Sequence, residues 1–415
     1  MPANHIIGML LGAEEDWPVA FESLLERVGP SITEGGTTHR FSTERVTIEP
    51  FNLRAVPRHS LIIDRLAWWY HFPREWLKKV ALMNEVHLLN NPFTFQSMEK
   101  HAAYCAMMRL GLRVPETWML PNKLPPDNPR FPVTAERYLR NFDLEAVATE
   151  VGMPLYMKPF DGGAWVGVTR IEDSASLHRA YDGSADRLMH LQAAVEGFDV
   201  FSRSLGIGAE TMVMLFDPSR PMHSRYSVSH NFLSDEVGNE VVSIARLVNA
   251  FFRWELNSCE TLIKDGVAYP IDYANATPDL AVTSLHYYFP WAIRTLLKWV
   301  IFCCVTGRRP TVDLDTRSYF EIADRDGLSY AEKLAEYRRL ADRQLDVDCY
   351  QEFCARHLAN VDEVCVEWVE SDDFDRLLIN TVISTYPEHE QEMFLAHFRG
   401  LLQLWAHDQH AAASA

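Results

Sequence analysis

LNSCETLIKDGVAYPIDYANATPD, Leu256 to Asp279, is the stretch on which the reading of this chain turns. It holds two β-rich runs joined by Asp265-Gly266. An Asp-Gly pair between such runs signals a two-residue hairpin, because these residues tolerate the positive φ the turn requires. The first run carries Glu260, and the second ends in Asp272 and Asn275. Carboxylates facing each other across a hairpin destabilise it unless a cation offsets them. With the Asn275 amide they form a set of hard oxygen ligands suited to Mg²⁺ that also holds a nucleotide phosphate.

Upstream lies a second feature of the same chemistry. Pro154-Leu-Tyr-Met-Lys158-Pro159 reads as a strand that runs into Phe160-Asp161-Gly162-Gly163-Ala164-Trp165-Val166-Gly167-Val168. A lysine fixed on a strand is a point charge for phosphate oxygens. The glycines let the backbone approach a nucleotide and offer its N–H groups. The lysine precedes the glycines and no GKS or GKT follows, so this is not a Walker loop. By itself a Gly-Gly after a strand is usually only a turn. Gln192 and Asp199 flank another glycine, in positions suited to an adenine edge and ribose hydroxyls or simply to a strand end and its loop.

The chain of 415 residues is long enough for two or three domains, and 47% hydrophobic residues supply a substantial core. A net charge of −18 argues against nucleic acid or an anionic membrane surface as a general partner. The seven cysteines include no CxxC pair, so neither a zinc site nor a disulfide framework is indicated, and buried thiols in a reducing compartment are expected. The N-terminus lacks a basic n-region, and the apolar run Trp299–Val305 is too short to span a bilayer. A cytoplasmic protein is the resulting expectation.

Residues 1–92 alternate strand and helix patterns and are expected to form a small α/β layer domain. Its strands are placed at Ile6–Gly12, Val46–Ile48 and Ser60–Asp64, and a helix at Trp17–Val28. Asp64 and Arg65 at a strand end read as a cap for the next segment or as ligand contacts, the cap being favoured. Asn90-Asn91-Pro92 is taken as a boundary. Residues 93–283 then give a helix from Ser97 bearing Lys100, strands at Thr117–Pro121, Pro154–Pro159 and Met189–Gln192, and a helix at Phe142–Val151. Residues 122–140 read as an exposed loop. Arg203–Phe216 reads as a strand interrupted by Gly206 and Gly208, and Val241–Leu256 as a helix. Residues 284–415 read as amphipathic helices whose apolar faces serve a core, a homodimer contact or an acceptor pocket.

The order of these parts resembles the ATP-grasp superfamily. A helix lysine is followed by GLRVPET, then YMKPFDGGAWVGV, then a hinge with a ribose acid, and last an acid, an acid and an amide. The resemblance covers about Asn90 to Asp279 and includes carboxylate–amine ligases such as D-alanine–D-alanine ligase and the ribosomal-protein glutamate ligases. It implies an α/β (α+β) ATP-grasp fold behind an N-terminal preATP-grasp domain, with the helices as a C-terminal extension.

It also implies ATP and Mg²⁺. Lys100 and Lys158 would hold the α- and β-phosphates, and Asp161 to Gly167, including Gly162 and Gly163, would form a lid loop. Gln192, Ala193 and Val195 would line adenine and Asp199 would hold ribose. Glu260, Asp272 and Asn275 would bind the metal, with Arg203 and Arg246 as candidates for the γ-phosphate or an acyl-phosphate. The implied reaction joins a carboxylate, activated as acyl-phosphate, to an amine, with small molecules such as amino acids as substrates. An ATP-grasp phosphotransferase and a non-catalytic ATP-binding protein with a helical partner-binding region are the alternatives. Three departures from the family pattern stand out: Asp272 and Asn275 are three apart where Glu-x-Asn is common, Gln192 stands where Glu is common, and the loop has Ala164-Trp165 where small residues are common.

Overall fold

A computed structural model describes residues 2–94, 99–138, 140–163 and 165–414. The expected start of a helix at Ser97 lies outside them; the described helix is Lys100–Arg109. Three sheets organise the chain. The first contains β1 (Ala3–Leu10), β2 (Ile32–Glu34), β3 (Thr37–Arg45), β4 (Leu61–Asp64) and β5 (His87–Leu89), in the order β2-β3-β1-β4-β5. The second contains β6 (Thr117–Leu120), β7 (Leu155–Pro159), β8 (Thr169–Ile171) and β9 (Met189–Ala193), in the order β6-β9-β7-β8. The third contains β10 (Val200–Ile207), β11 (Glu210–Phe216), β12 (Tyr226–Ser227), β13 (Leu256–Lys264) and β14 (Val267–Asn275), in the order β12-β11-β10-β13-β14.

In the first sheet β1 runs parallel to both β3 and β4, and β4 runs parallel to β5. Short apolar runs such as Leu61-Ile62-Ile63 are fully buried there, as parallel strands covered on both faces require. The strand expected at Val46–Ile48 is instead β3, which ends at Arg45. Its sequence TTHRFSTER is mostly polar because it is only partly covered, so it shows no apolar run. Asp64 caps the turn that follows β4, with Oδ1 accepting from the N–H groups of Leu66 (2.9 Å) and Ala67 (3.0 Å).

The expected loop at 122–140 contains the helix Phe131–Tyr138. The interrupted strand at 203–216 is two antiparallel strands, β10 and β11, turning at Gly208. Gly208 has φ +55°, and a Cβ there would collide with the Trp299 indole. The following helix begins earlier than expected, at Asp235, where the Ser234 side chain accepts from the Val237 N–H.

Two cores matter for the site. One is local to the second sheet and gathers Leu120, Leu155, Met157, Leu177 and Leu191. The other runs from Ile7 to Ala406 and joins the third sheet to the helical C-terminal region. At its centre is Phe289–Thr306, apolar nearly all round and buried. With the short turns before it, Val282–Thr306 spans 25 residues and is largely apolar. That corrects the expectation of too short an apolar run: the stretch is long enough to cross a membrane, but 78% of its apolar window is buried inside the protein. All seven cysteines are free.

Asn90-Asn91 does more than mark a boundary. Asn90 Nδ2 donates to the carbonyls of Leu256 (2.7 Å) and Ala276 (2.6 Å). Its Oδ1 accepts from the N–H groups of Glu255 (2.7 Å) and Leu256 (2.9 Å). A single buried amide thus ties the end of the first sheet to both legs of the β13–β14 hairpin.

Candidate functional site

The hairpin forms with Asp265 and Gly266 at φ +52° and +74°, as a two-residue turn of this kind demands. Across the third sheet Arg203 on β10 lies opposite Glu260 on β13, and Glu260 lies opposite Asp272 on β14. Directly opposed residues share a face, so one row across three strands carries a guanidinium and two carboxylates. Arg203 Nη1 is 3.9 Å from Glu260 Oε1. Burial pushes the Glu260 carboxyl up; Arg203 opposes that shift and Asp272 adds to it. A carboxyl in that state, with a second carboxylate opposite it, fits a cation.

The spacing of Asp272 and Asn275 is explained by the register. Glu260 pairs with Asp272 and Ser258 with Asn275, so two steps on β13 match three on β14. The extra residue is a bulge, which restores to one face two side chains that a regular strand would point apart. Asn275 Nδ2 donates to Ser258 Oγ at 2.8 Å, which leaves the amide oxygen for a metal. A second irregularity lies between Glu260 and Thr261. Beside it the Ile271 carbonyl accepts from Tyr104 (2.9 Å) and faces Lys158 Nζ (3.5 Å).

Two lysines come to this row from other elements. Lys100, the first residue of its helix, is buried, with Nζ 3.2 Å from Asp272 Oδ2 and 2.6 Å from the Gly162 carbonyl. Lys158 on β7 is buried, and its Nζ donates to Gln192 Oε1 at 2.7 Å. Gln192 Nε2 in turn donates to Thr117 Oγ1 at 2.8 Å. Burial holds the Lys158 ammonium down at about 8, with Asp272 opposing the shift and Lys100 reinforcing it. Two buried ammonium groups beside two partly buried acids are poised to receive a ligand that carries both negative charge and a cation.

The remaining sites expected from the sequence are distributed around this centre. Asp161, Gly162 and Gly163 are exposed in the turn directly after β7. Ala193 closes β9, its N–H donating to the Glu116 carbonyl at 2.9 Å, and Val195 packs against the large core. Asp199 is exposed, and its Oδ2 accepts from the Asp265 N–H at 2.8 Å, so it stands at the hairpin turn. Trp165, at φ +64°, lies between Tyr156 of the second sheet and Phe201 of the third, with ring centroids 6.4 and 6.5 Å away.

Arg246 is placed elsewhere. It sits on Asp235–Phe252, which packs on the face opposite the acids: Asn257, next to Ser258 on β13, donates to Asn249 of that helix at 2.9 Å. Arg246 pairs with Asp342 at 2.7 Å, and its other charged neighbours are Arg338 and Glu210. The resemblance made it a candidate for the γ-phosphate or an acyl-phosphate, and nothing local in the sequence says which side of the sheet its helix covers. The residues that sequence reasoning overlooked are Ser258, Tyr226 and Tyr104. Alternation along β13 from Glu260 would have found Ser258.

The second and third sheets hold these groups between them behind a mostly parallel N-terminal sheet, and this is the ATP-grasp fold. D-alanine–D-alanine ligase from Bacillus anthracis, solved with ATP, matches with a TM-score of 0.50 and 12% identity, over 74% of this chain and 98% of that one. The RimK domain ATP-grasp protein from Sphaerobacter thermophilus gives a TM-score of 0.49 and 12% identity, over 71% and 99%. In sequence, the D-alanine–D-alanine ligase of Ralstonia nicotianae is 26% identical over 100 residues, 24% of this chain. The match spans only 30% of that relative's length. No family model matches the chain.

Proposed function

We propose that this protein is an ATP-dependent ligase that activates a carboxylate as an acyl-phosphate and joins it to an amine, releasing ADP and phosphate. The observation that carries the reading is the meeting of Lys100 and Lys158 with the Glu260–Asp272 pair, where Lys100 Nζ and Asp272 Oδ2 are 3.2 Å apart. Glu260, Asp272 and the Asn275 amide oxygen would hold Mg²⁺, whose chemistry when bound is to neutralise phosphate oxygens. Lys100 and Lys158 would face the α- and β-phosphates, and Gln192, Ala193, Val195 and Asp199 the nucleoside. Asp161, Gly162 and Gly163 would lie along the phosphates.

In such a reaction the chain's work is positioning and charge stabilisation as the phosphoryl group moves to the carboxylate. The amine then displaces phosphate from the acyl carbon. Arg203 lies on the same row as the acids, which supports it as the arginine that would meet the transferring group. The substrates expected are small, with amino acids the first class to try. A screen of amino acids, singly and in pairs, for Mg²⁺-dependent ADP release tests the reading. Release that requires both an acid and an amine supports it. Phosphate retained on one acceptor would make the protein a phosphotransferase instead.

A further inference from the structure

Ser258 stands between two of the groups just described, with its hydroxyl only partly used. It is 4% exposed. Its Oγ receives N–H bonds from Arg203 Nη2 (3.1 Å) and Nε (3.3 Å) and from Asn275 Nδ2 (2.8 Å). A guanidinium has donors and no acceptor, so toward Arg203 the hydroxyl oxygen can only accept. Asn275 can offer its oxygen to a cation only while its NH₂ turns toward Ser258, which is the arrangement found. Both lone pairs of Oγ are therefore engaged, and neither neighbour can take the hydroxyl proton.

The charges around Arg203 say what that proton faces. The guanidinium feels Glu260, Asp279 and Asp272 together with the Tyr226 phenol. A cation held by Glu260 and Asp272 would offset those acids and leave the Arg203 charge to an anion beside the metal. Phosphoryl oxygens are acceptors only, and an ionised acceptor strengthens the bond. Ser258 is two residues from Glu260 on β13, opposite Asn275 on β14, and so shares the metal face.

We propose that the Ser258 hydroxyl, oriented by Arg203 and Asn275, donates a hydrogen bond to an oxygen of the terminal phosphoryl group of bound ATP. The inference rests on the ATP reading above, and its test separates the two. Binding of ADP and of AMP-PNP, each with Mg²⁺, is measured by calorimetry for the wild type, Ser258→Ala and Ser258→Thr. The preference for AMP-PNP over ADP should fall about tenfold in Ser258→Ala, a hydrogen bond to a charged group being the interaction removed. Ser258→Thr, which keeps the hydroxyl, should retain the preference.

An unchanged preference in Ser258→Ala overturns the proposal. So does an equal loss of affinity for both nucleotides, which would mark Ser258 as a structural prop for Arg203. Ser258→Cys, similar in shape and a weak donor, makes the same comparison should the alanine variant not fold. A wild type that binds neither nucleotide defeats the ATP reading itself, and the proposal with it.

Discussion

At the scale of single residues, charge and face decide the roles. Lys158 on β7 and Asp272 on β14 belong to different sheets, and the Asp272 charge opposes the burial shift of the Lys158 ammonium. Lys158→Ala or Asp272→Ala should lower ADP release at least about a hundredfold, as loss of a preorganised charge at a phosphoryl-transfer site does. Full activity in both would defeat the assignment. The two arginines should part company. Arg203→Ala should be strongly impaired in turnover. Arg246→Ala should stay within about twofold of the wild type, because its partner Asp342 belongs to the C-terminal helices behind the sheet. Its effect should appear as a modestly lower Tm, since Asp342 loses one of its two arginine partners and keeps Arg338 at 2.8 Å. Steady-state rates and melting curves on the same preparations distinguish the two outcomes.

Elements set the precision of the site. The β13–β14 hairpin is held at its base by Asn90, which serves two backbone N–H groups and two carbonyls at once. Asn90→Ala would leave these buried groups without that partner, each worth about 1 kcal/mol or more. A loss of roughly 2–4 kcal/mol in denaturant midpoint analysis is expected. Asn90→Asp should also be poor, since a carboxylate cannot donate to Leu256 and Ala276. A midpoint unchanged in Asn90→Ala would show that the hairpin base is held by its neighbours alone. The Asp-Gly turn and the acids were legible because they follow local rules. The bulge between Asp272 and Asn275 was not, since it exists only as a mismatch of register against β13.

For the whole molecule, the C-terminal helices share the large core with the third sheet, and one buried histidine, His286, lies along that contact. His286 is 1% exposed and faces His397, His223 and Tyr226. Burial, reinforced by His397, holds its pKa down at about 4, against 6.5 when unfolded. The unfolded chain therefore binds the proton first as pH falls. Stability from this group is present above pH 6.5 and is lost as pH drops toward 4. The Tm should decline through that window, and His286→Phe should flatten the decline. A slope unchanged in His286→Phe would remove His286 as its source.

How far the sequence carries this protein can be judged from particular elements. Apolar runs such as Leu61–Ile63, the Asp-Gly turn and the glycines after Lys158 were legible from local propensity and chemistry, and the resemblance carried by the order of lysines and acids implied the ATP-grasp fold and the candidate site. β3 and the helix Phe131–Tyr138 escaped because their polar, partly exposed sequences lack a strong period.

What only the tertiary structure decided was which faces meet. It put Arg203 in the row with Glu260 and Asp272, and it sent Arg246 behind the sheet. It absorbed the extra residue before Asn275 into a bulge and set Ser258 between two donors. The physical reason is that a side chain's face depends on register and on what packs against the element, and both are fixed by residues far away in the chain.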